Sequence, residues 1–140
     1  MKDGEARPLP GDVMRAYSED LVEMVRVVTG VELDYSVASV EQLEEFIDVL
    51  VEAVPGGLWA RISGQRQRNL RDFAKALGGY SGEVLRRTRG GTWEFDGALS
   101  PSPTAFGLRG EYGLVWPTAW AQLRIANGAS NSLYTYVLRA

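Results

Sequence analysis

Over roughly the first ninety residues apolar positions recur every three to four places, and after that they recur every second place, so the chain reads as helices followed by strands. The first helix is expected from about Asp12 to Val28, with Val13, Tyr17, Leu21, Met24, Val25 and Val28 on one stripe and Gly30 as its stop. Val31 to Tyr35 then reads as extended. Ser39 and Gln42 have the spacing of a capping box, and Val40, Leu43, Phe46, Ile47, Leu50, Val51 and Val54 make one buried face up to Pro55-Gly56-Gly57. A third helix is predicted from about Gln65 to Arg89, ending at Gly90-Gly91. Beyond it Trp93 with Phe95, Phe106 with Leu108, and Tyr112 with Leu114 and Trp116 alternate as strands do, which predicts a three-stranded antiparallel meander. Its second turn, Arg109-Gly110-Glu111-Tyr112, places glycine first in a two-residue loop. Pro117 suits the first position of a helix carrying Trp120 and Leu123 and closed by Asn127-Gly128. Ser130 or Ser132 starts a last short helix with Leu133, Tyr136 and Val137 inward, or else a strand. The fold class is α+β, with N-terminal helices, the meander and C-terminal helices in one domain over 10–140, after a disordered stretch at 1–9.

One conflict stands out in this pattern. Leu70, Phe73, Ala74, Leu77, Ser81, Val84, Leu85 and Thr88 keep the helical period without a break, yet Gly78, Gly79 and Gly82 lie among them. Each interior glycine costs ~1 kcal/mol against alanine, so some closely approaching group is expected to offset the loss. On a helical wheel the apolar set fills an arc of about 120°, while Arg68, Arg71, Lys75, Arg86 and Arg89 gather on the far side. Gly79 and Gly82 fall in or beside that basic stripe. The favoured reading has another part of the same chain crossing there, such as the connection after the first strand. A second makes the glycines a flat saddle between guanidinium groups, open to an acidic peptide, phosphate or carboxylate. A third breaks the helix at Gly78-Gly79.

Composition narrows the chemistry. The 140 residues are 45% hydrophobic and 24% charged, as in a globular domain, and contain neither cysteine nor histidine. Disulfides, thiolate nucleophiles, imidazole bases and the usual transition-metal sites are thereby excluded, and no cofactor is indicated. Carboxylate chemistry survives only if two acids converge in a cleft, and no such pair is evident. No apolar run is long enough for a membrane span and no signal-like segment opens the chain, so the protein is expected to be cytoplasmic. The net charge of −3 hides an asymmetry: residues 1–57 carry thirteen acids and four bases, whereas residues 58–140 carry five acids and eleven bases.

Several segments in order, Leu33-Asp34-Tyr35-Ser36, Gly79-Tyr80-Ser81-Gly82-Glu83-Val84, Gly91-Thr92-Trp93, Trp116-Pro117, Leu123 to Gly128 and Ser132-Leu133, resemble a family of small bacterial proteins classed only as a domain of unknown function. The resemblance spans roughly 33–137. It implies a fold and carries no catalytic residues onto this chain.

The expected function is therefore a non-enzymatic, immunity- or accessory-like interaction domain whose partner is a protein, a second copy included. The alternative is a small anionic-ligand sensor or a weak carboxylate- and arginine-based enzyme. The candidate binding residues are Arg68, Arg71, Lys75, Gly79, Tyr80, Gly82, Glu83 and Arg86. Tyr80 has a competing reading, packed on the sheet with a carboxylate on its hydroxyl. Nucleic acid is disfavoured by the acidic balance and the lack of a recognised binding module. Glu41, Glu44, Glu45, Asp48 and Glu52 are expected to face outward from the second helix, leaving acidic and basic faces that do not neutralise one another. Trp59, Trp93, Trp116 and Trp120 are expected in the core or between sheet and helices.

Overall fold

Helix α1, Pro10–Thr29, opens with a proline whose missing N–H costs nothing at that position, and Gly30 closes it at φ 78°. In the computed structural model, residues 9–53, 65–95 and 106–140 are described. Residues 1–8 of the stretch 1–9 expected to be disordered, the Pro55-Gly56-Gly57 stop, Trp59 and the connection after the first strand lie outside them. Leu21 and Val25 face inward as expected, but the buried line begins with Met14 and Ser18 instead of Val13 and Tyr17, and Val28 is largely exposed. The rotation goes with a close helix crossing: a β-carbon on Gly79 of the neighbouring helix would lie 2.8 Å from the Met14 carbonyl oxygen and 3.2 Å from the Ser18 backbone nitrogen.

The single second helix predicted from the pattern is two. Helix α2 spans Val37–Glu44 and α3 spans Ile47–Ala53, with a tight turn between them in which the N–H of Phe46 reaches back to the carbonyl of Leu43 at 2.9 Å. Val40, Leu43, Ile47 and Leu50 stay buried through the turn, so the apolar period runs across a break that it does not reveal. The cap is Ser36, whose Oγ accepts from the N–H of Ser39 at 3.1 Å; the Ser39 side chain points into the interior instead.

Helix α4, Gln65–Arg89, has the predicted bounds and runs unbroken through its glycines. It is the centre of the fold. From Phe73 to Leu85 every residue is buried except the half-buried Lys75, so the helix has no open far side over that stretch. A β-carbon on Gly78 would lie 2.5 Å from Cα of Thr118, one on Gly79 would lie 2.8 Å from the carbonyl oxygen of Met14, and one on Gly82 would run into the Trp93 ring, 2.5 Å from Cζ2. Intrachain crossing is what the glycines serve, with α1, the start of the next helix and an indole as the crossing groups. The expected saddle is covered at both Gly79 and Gly82.

After Gly90 (φ 82°) the strands β1 (Thr92–Phe95), β2 (Phe106–Gly110) and β3 (Gly113–Val115) form the antiparallel meander in the order β1-β2-β3. Trp93 pairs with Leu108, and both pack with Met14 and Leu85 between sheet and helices. The second turn lies one residue later than expected: Gly110 pairs with Gly113, the loop is Glu111-Tyr112, and Gly113 carries the positive φ. The Tyr112 hydroxyl, donating to the carbonyl of Gly90 at 2.6 Å, fixes that register.

Helix α5, Pro117–Asn127, leads through a short 3-10 turn to α6, Leu133–Arg139, which Ser132 caps by accepting from the N–H of Thr135. The strand alternative for this last segment falls. Trp116 and Trp120 are half-buried, and in α5 the inward place expected of Leu123 belongs to Arg124. The α+β class stands, with α4 packed against α1, α5, α6 and the sheet.

These contacts make the glycines costly to replace. Alanine at 78 and leucine at 79 each gain up to ~1 kcal/mol of helix propensity, but overpacking typically costs about 1–3 kcal/mol, and here the obstruction includes backbone. Thermal melts of Gly78→Ala and Gly79→Leu are expected to fall several degrees below the parent chain; a rise in either would mean that nothing approaches the helix there.

Candidate functional site

The most concentrated chemistry lies at the C-terminal end of α4. Glu83 is only 1% exposed and both of its oxygens are engaged. Oε2 accepts from Trp93 Nε1 at 2.8 Å and from Arg86 Nε at 2.7 Å, while Oε1 accepts from Arg86 Nη2 at 2.9 Å and from Arg87 Nε at 3.2 Å. Burial is the largest single influence on this carboxyl and pushes its pKa up. The hydrogen bonds from Arg86 and Trp93, the charge of Arg86 and the bond from Arg87 together outweigh it, so the value lies below the usual glutamate range. Arg86 is held correspondingly above its own. An ionised, four-times-bonded carboxylate anchors the wall it sits in and is a poor proton carrier.

Beside this cluster a cleft of about 360 Å³ opens between the start of α1 and the start of β1. Leu9, Pro10 and Trp93 give it apolar wall, Gly11, Gly91 and Thr92 give it backbone and a hydroxyl, and Asp12, Arg15, Glu83 and Arg86 bring charge. Arg15 crosses to Asp12, Nη2 to Oδ1 at 2.9 Å, on the exposed rim.

Tyr80 belongs elsewhere. Its hydroxyl accepts from the N–H of Tyr35 at 2.9 Å and lies 2.6 Å from Ser39 Oγ, so two residues near the start of α2, and no carboxylate, satisfy it. Burial, partly countered by those bonds, raises its pKa and keeps it protonated. Tyr35 itself holds φ at 64°, unusual for a side chain of its size. Its ring meets that of Tyr80 at 4.9 Å between centroids, tilted by 31°, its hydroxyl meets Ser18 Oγ at 3.0 Å, and it carries the guanidinium of Arg87 3.6 Å above its ring.

A second buried ion cluster ties α2, α3, α5 and α6 together. Arg124, 1% exposed, donates from Nε to Glu44 Oε1 at 2.8 Å and from Nη1 to Asp48 Oδ1 at 3.2 Å. The other oxygen of Glu44 accepts from the N–H groups of Leu133 and Tyr134, at 2.5 and 3.3 Å, at the start of α6. Burial works against the Arg124 charge, yet the two carboxylates prevail and its pKa is raised. The expected outward acidic face therefore loses Glu44 to the interior, while Glu41, Glu45, Asp48 and Glu52 remain exposed.

Of the eight candidate residues only Gly82, Glu83 and Arg86 come together, with Trp93 across them. Gly79 lies under α1, and Tyr80 is turned toward Tyr35 and Ser39. Arg68 and Arg71 are exposed some turns away, and Lys75 faces Asp72 at 3.8 Å and the ring of Tyr17. The stripe is thus divided along the helix, and Arg89 at its end binds the backbone carbonyl of Ala140. Asp12, Arg15, Thr92, Trp93 and Arg87 were missed as site residues. The Glu83 spacing to Arg86 and Arg87, three and four positions, was the available signal for the last of these.

Among the described residues no three or more aspartates and glutamates gather as metal ligands, and no helix is long and apolar enough to cross a membrane. No known protein family, curated protein or solved structure matches this chain.

The lowered pKa of Glu83 has a consequence for stability against pH. A carboxyl whose folded value lies below its unfolded one contributes above the unfolded value, and the contribution is lost as pH falls through the folded value. Denaturant melts are expected to show the parent chain losing more stability than Glu83→Gln as the pH is lowered through the carboxylate range; parallel losses would mean that Glu83 is not held in its charged form.

The Arg124 cluster is expected to respond unequally to loss of its two acids. Glu44→Ala leaves a buried guanidinium with one exposed partner and should cost about 3–5 kcal/mol, whereas Asp48→Ala, a largely exposed partner, should cost under about 1 kcal/mol. Equal costs by chemical denaturation would contradict this division.

Proposed function

We propose that this chain is a non-enzymatic cytoplasmic interaction domain, accessory or immunity-like in role, which engages a protein partner at the cleft between α1 and β1. The observation that carries the reading is the saturation of Glu83. Among the described residues the one buried carboxylate beside the cleft is committed to two arginines and an indole, so it shapes a binding surface and has no proton to exchange near neutral pH. Arginines elsewhere are paired too, Arg109 with Glu94 on the surface and Arg124 with Glu44 in the interior, which favours a protein over a nucleic acid, whose binding calls for a continuous basic track. Leu9, 68% exposed at the cleft's rim beside Pro10, adds the apolar contact that protein interfaces use.

A second reading, a sensor of small anions, is favoured by the size of the cleft, since about 360 Å³ falls within the range of small-ligand pockets.

Selection of a random-peptide display library on the immobilised full chain tests the first reading. Enriched peptides should bind the parent chain and lose most of their affinity for Arg15→Gln, which alters only the exposed rim. Enrichment that is indifferent to this substitution, or none at all, would remove the cleft as a protein-binding surface.

A further inference from the structure

The Glu83 cluster leaves an asymmetry in geometry. Glu83 is shared by two guanidinium groups, but Arg87 lies over the Tyr35 ring and only Arg86 lines the cleft. The charged groups that do line it, Glu83 with Arg86 and Asp12 with Arg15, balance one another, so recognition of an acid rests on the geometry of the Arg86 fork. Arg86 meets Glu83 through Nε and Nη2, the side edge of its planar fork. Its end edge, Nη1 with the remaining Nη2 hydrogen, has no partner among the described residues. A guanidinium offers two such edges, each matching the two oxygens of a carboxylate, and here one is filled from inside the protein.

We propose that the cleft is a receptor for a carboxylate of a partner polypeptide, bound by the end edge of Arg86 and by Arg15 across the opening. Arg86 is already immobilised by Glu83, so it loses little freedom on binding a second carboxylate. Trp93 and Pro10 present apolar wall to the carbon chain that bears the acid, which a bare inorganic ion would not use. The inference rests on the interaction reading and adds the chemistry of the group recognised.

Titration of the ¹⁵N-labelled full chain tests it, with the Trp93 indole N–H and the Arg86 Nε–H as reporters. The probes are N-acetyl-alanyl-alanine with a free carboxylate, the same peptide as its C-terminal amide, acetate and inorganic phosphate. The acid should shift both resonances saturably, and the amide should bind at least about tenfold more weakly, the loss expected when a charge-assisted hydrogen bond goes. Arg15→Gln should weaken the acid by a similar factor, and so should Arg86→Lys, which still neutralises Glu83 but has no fork. If Arg86→Lys fails to fold, the acid and amide on the parent chain decide alone. Equal shifts from acid and amide, or tighter binding of phosphate than of the acid, would overturn the site. Acetate binding as tightly as the peptide would overturn the polypeptide source. If the acid shifts neither resonance while display-selected peptides still depend on Arg15, the carboxylate inference fails and the interaction reading stands.

Discussion

Close approach to one helix organises this molecule. At Gly78, Gly79 and Gly82 the backbone of α4 is met by Thr118, by the α1 backbone at Met14 to Ser18, and by the Trp93 ring, each at a distance that a β-carbon would forbid. Because these contacts come from different sides, α4 cannot be a surface helix with a polar back. It is an axle, and α1, the sheet and α5 take their places from it. The helix propensity lost to glycine is offset by burial on nearly every side, which is why Phe73 to Leu85 is an almost continuous buried run.

A helix buried all round must find partners for whatever polar groups it carries. Ser81 donates back to the carbonyl of Leu77 at 2.8 Å, Tyr80 is received at the start of α2, and Glu83 is enclosed by two arginines from its own last turns and one indole from β1. Arg86, Arg87 and Arg89 also oppose the negative end of the helix dipole. The polar chemistry of the interior is thus arranged to hold elements in place, and the same arrangement leaves one edge of Arg86 without a partner among the described residues. Structure and candidate site have a common origin at Glu83.

The bounds of α4 and the existence and order of the three strands were legible because each rests on local signals: a sustained period, the Gly90-Gly91 stop, and alternation of large apolar residues. The break between α2 and α3 was not, since Leu43 and Ile47 stay in phase across a tightened turn. The wheel misled at Gly79 and Gly82 because it treats a helix as having one buried face, and this one is covered from several directions. Arg124 was invisible for a related reason: a charged residue in line with Ala121 reads as solvent-facing until its partners, 76 and 80 positions away, are known. Glu83 and Arg86 could be paired from spacing alone, but Arg15, some seventy residues earlier, could be joined to them only by the fold.

The indole of Trp93 joins the sheet to the helical layer by two kinds of contact at once, its ring lying on Gly82 and its N–H bonded to Glu83. In evolutionary terms the three positions are tied to one another. A smaller residue at 93 leaves a hollow over position 82 and an acceptor on Glu83 without its donor; a larger residue at 82 fills the hollow but does nothing for the acid. Drift at this joint must therefore pass through at least two changes before stability is regained, and neighbouring sequences should differ at 82, 83 and 93 together or not at all.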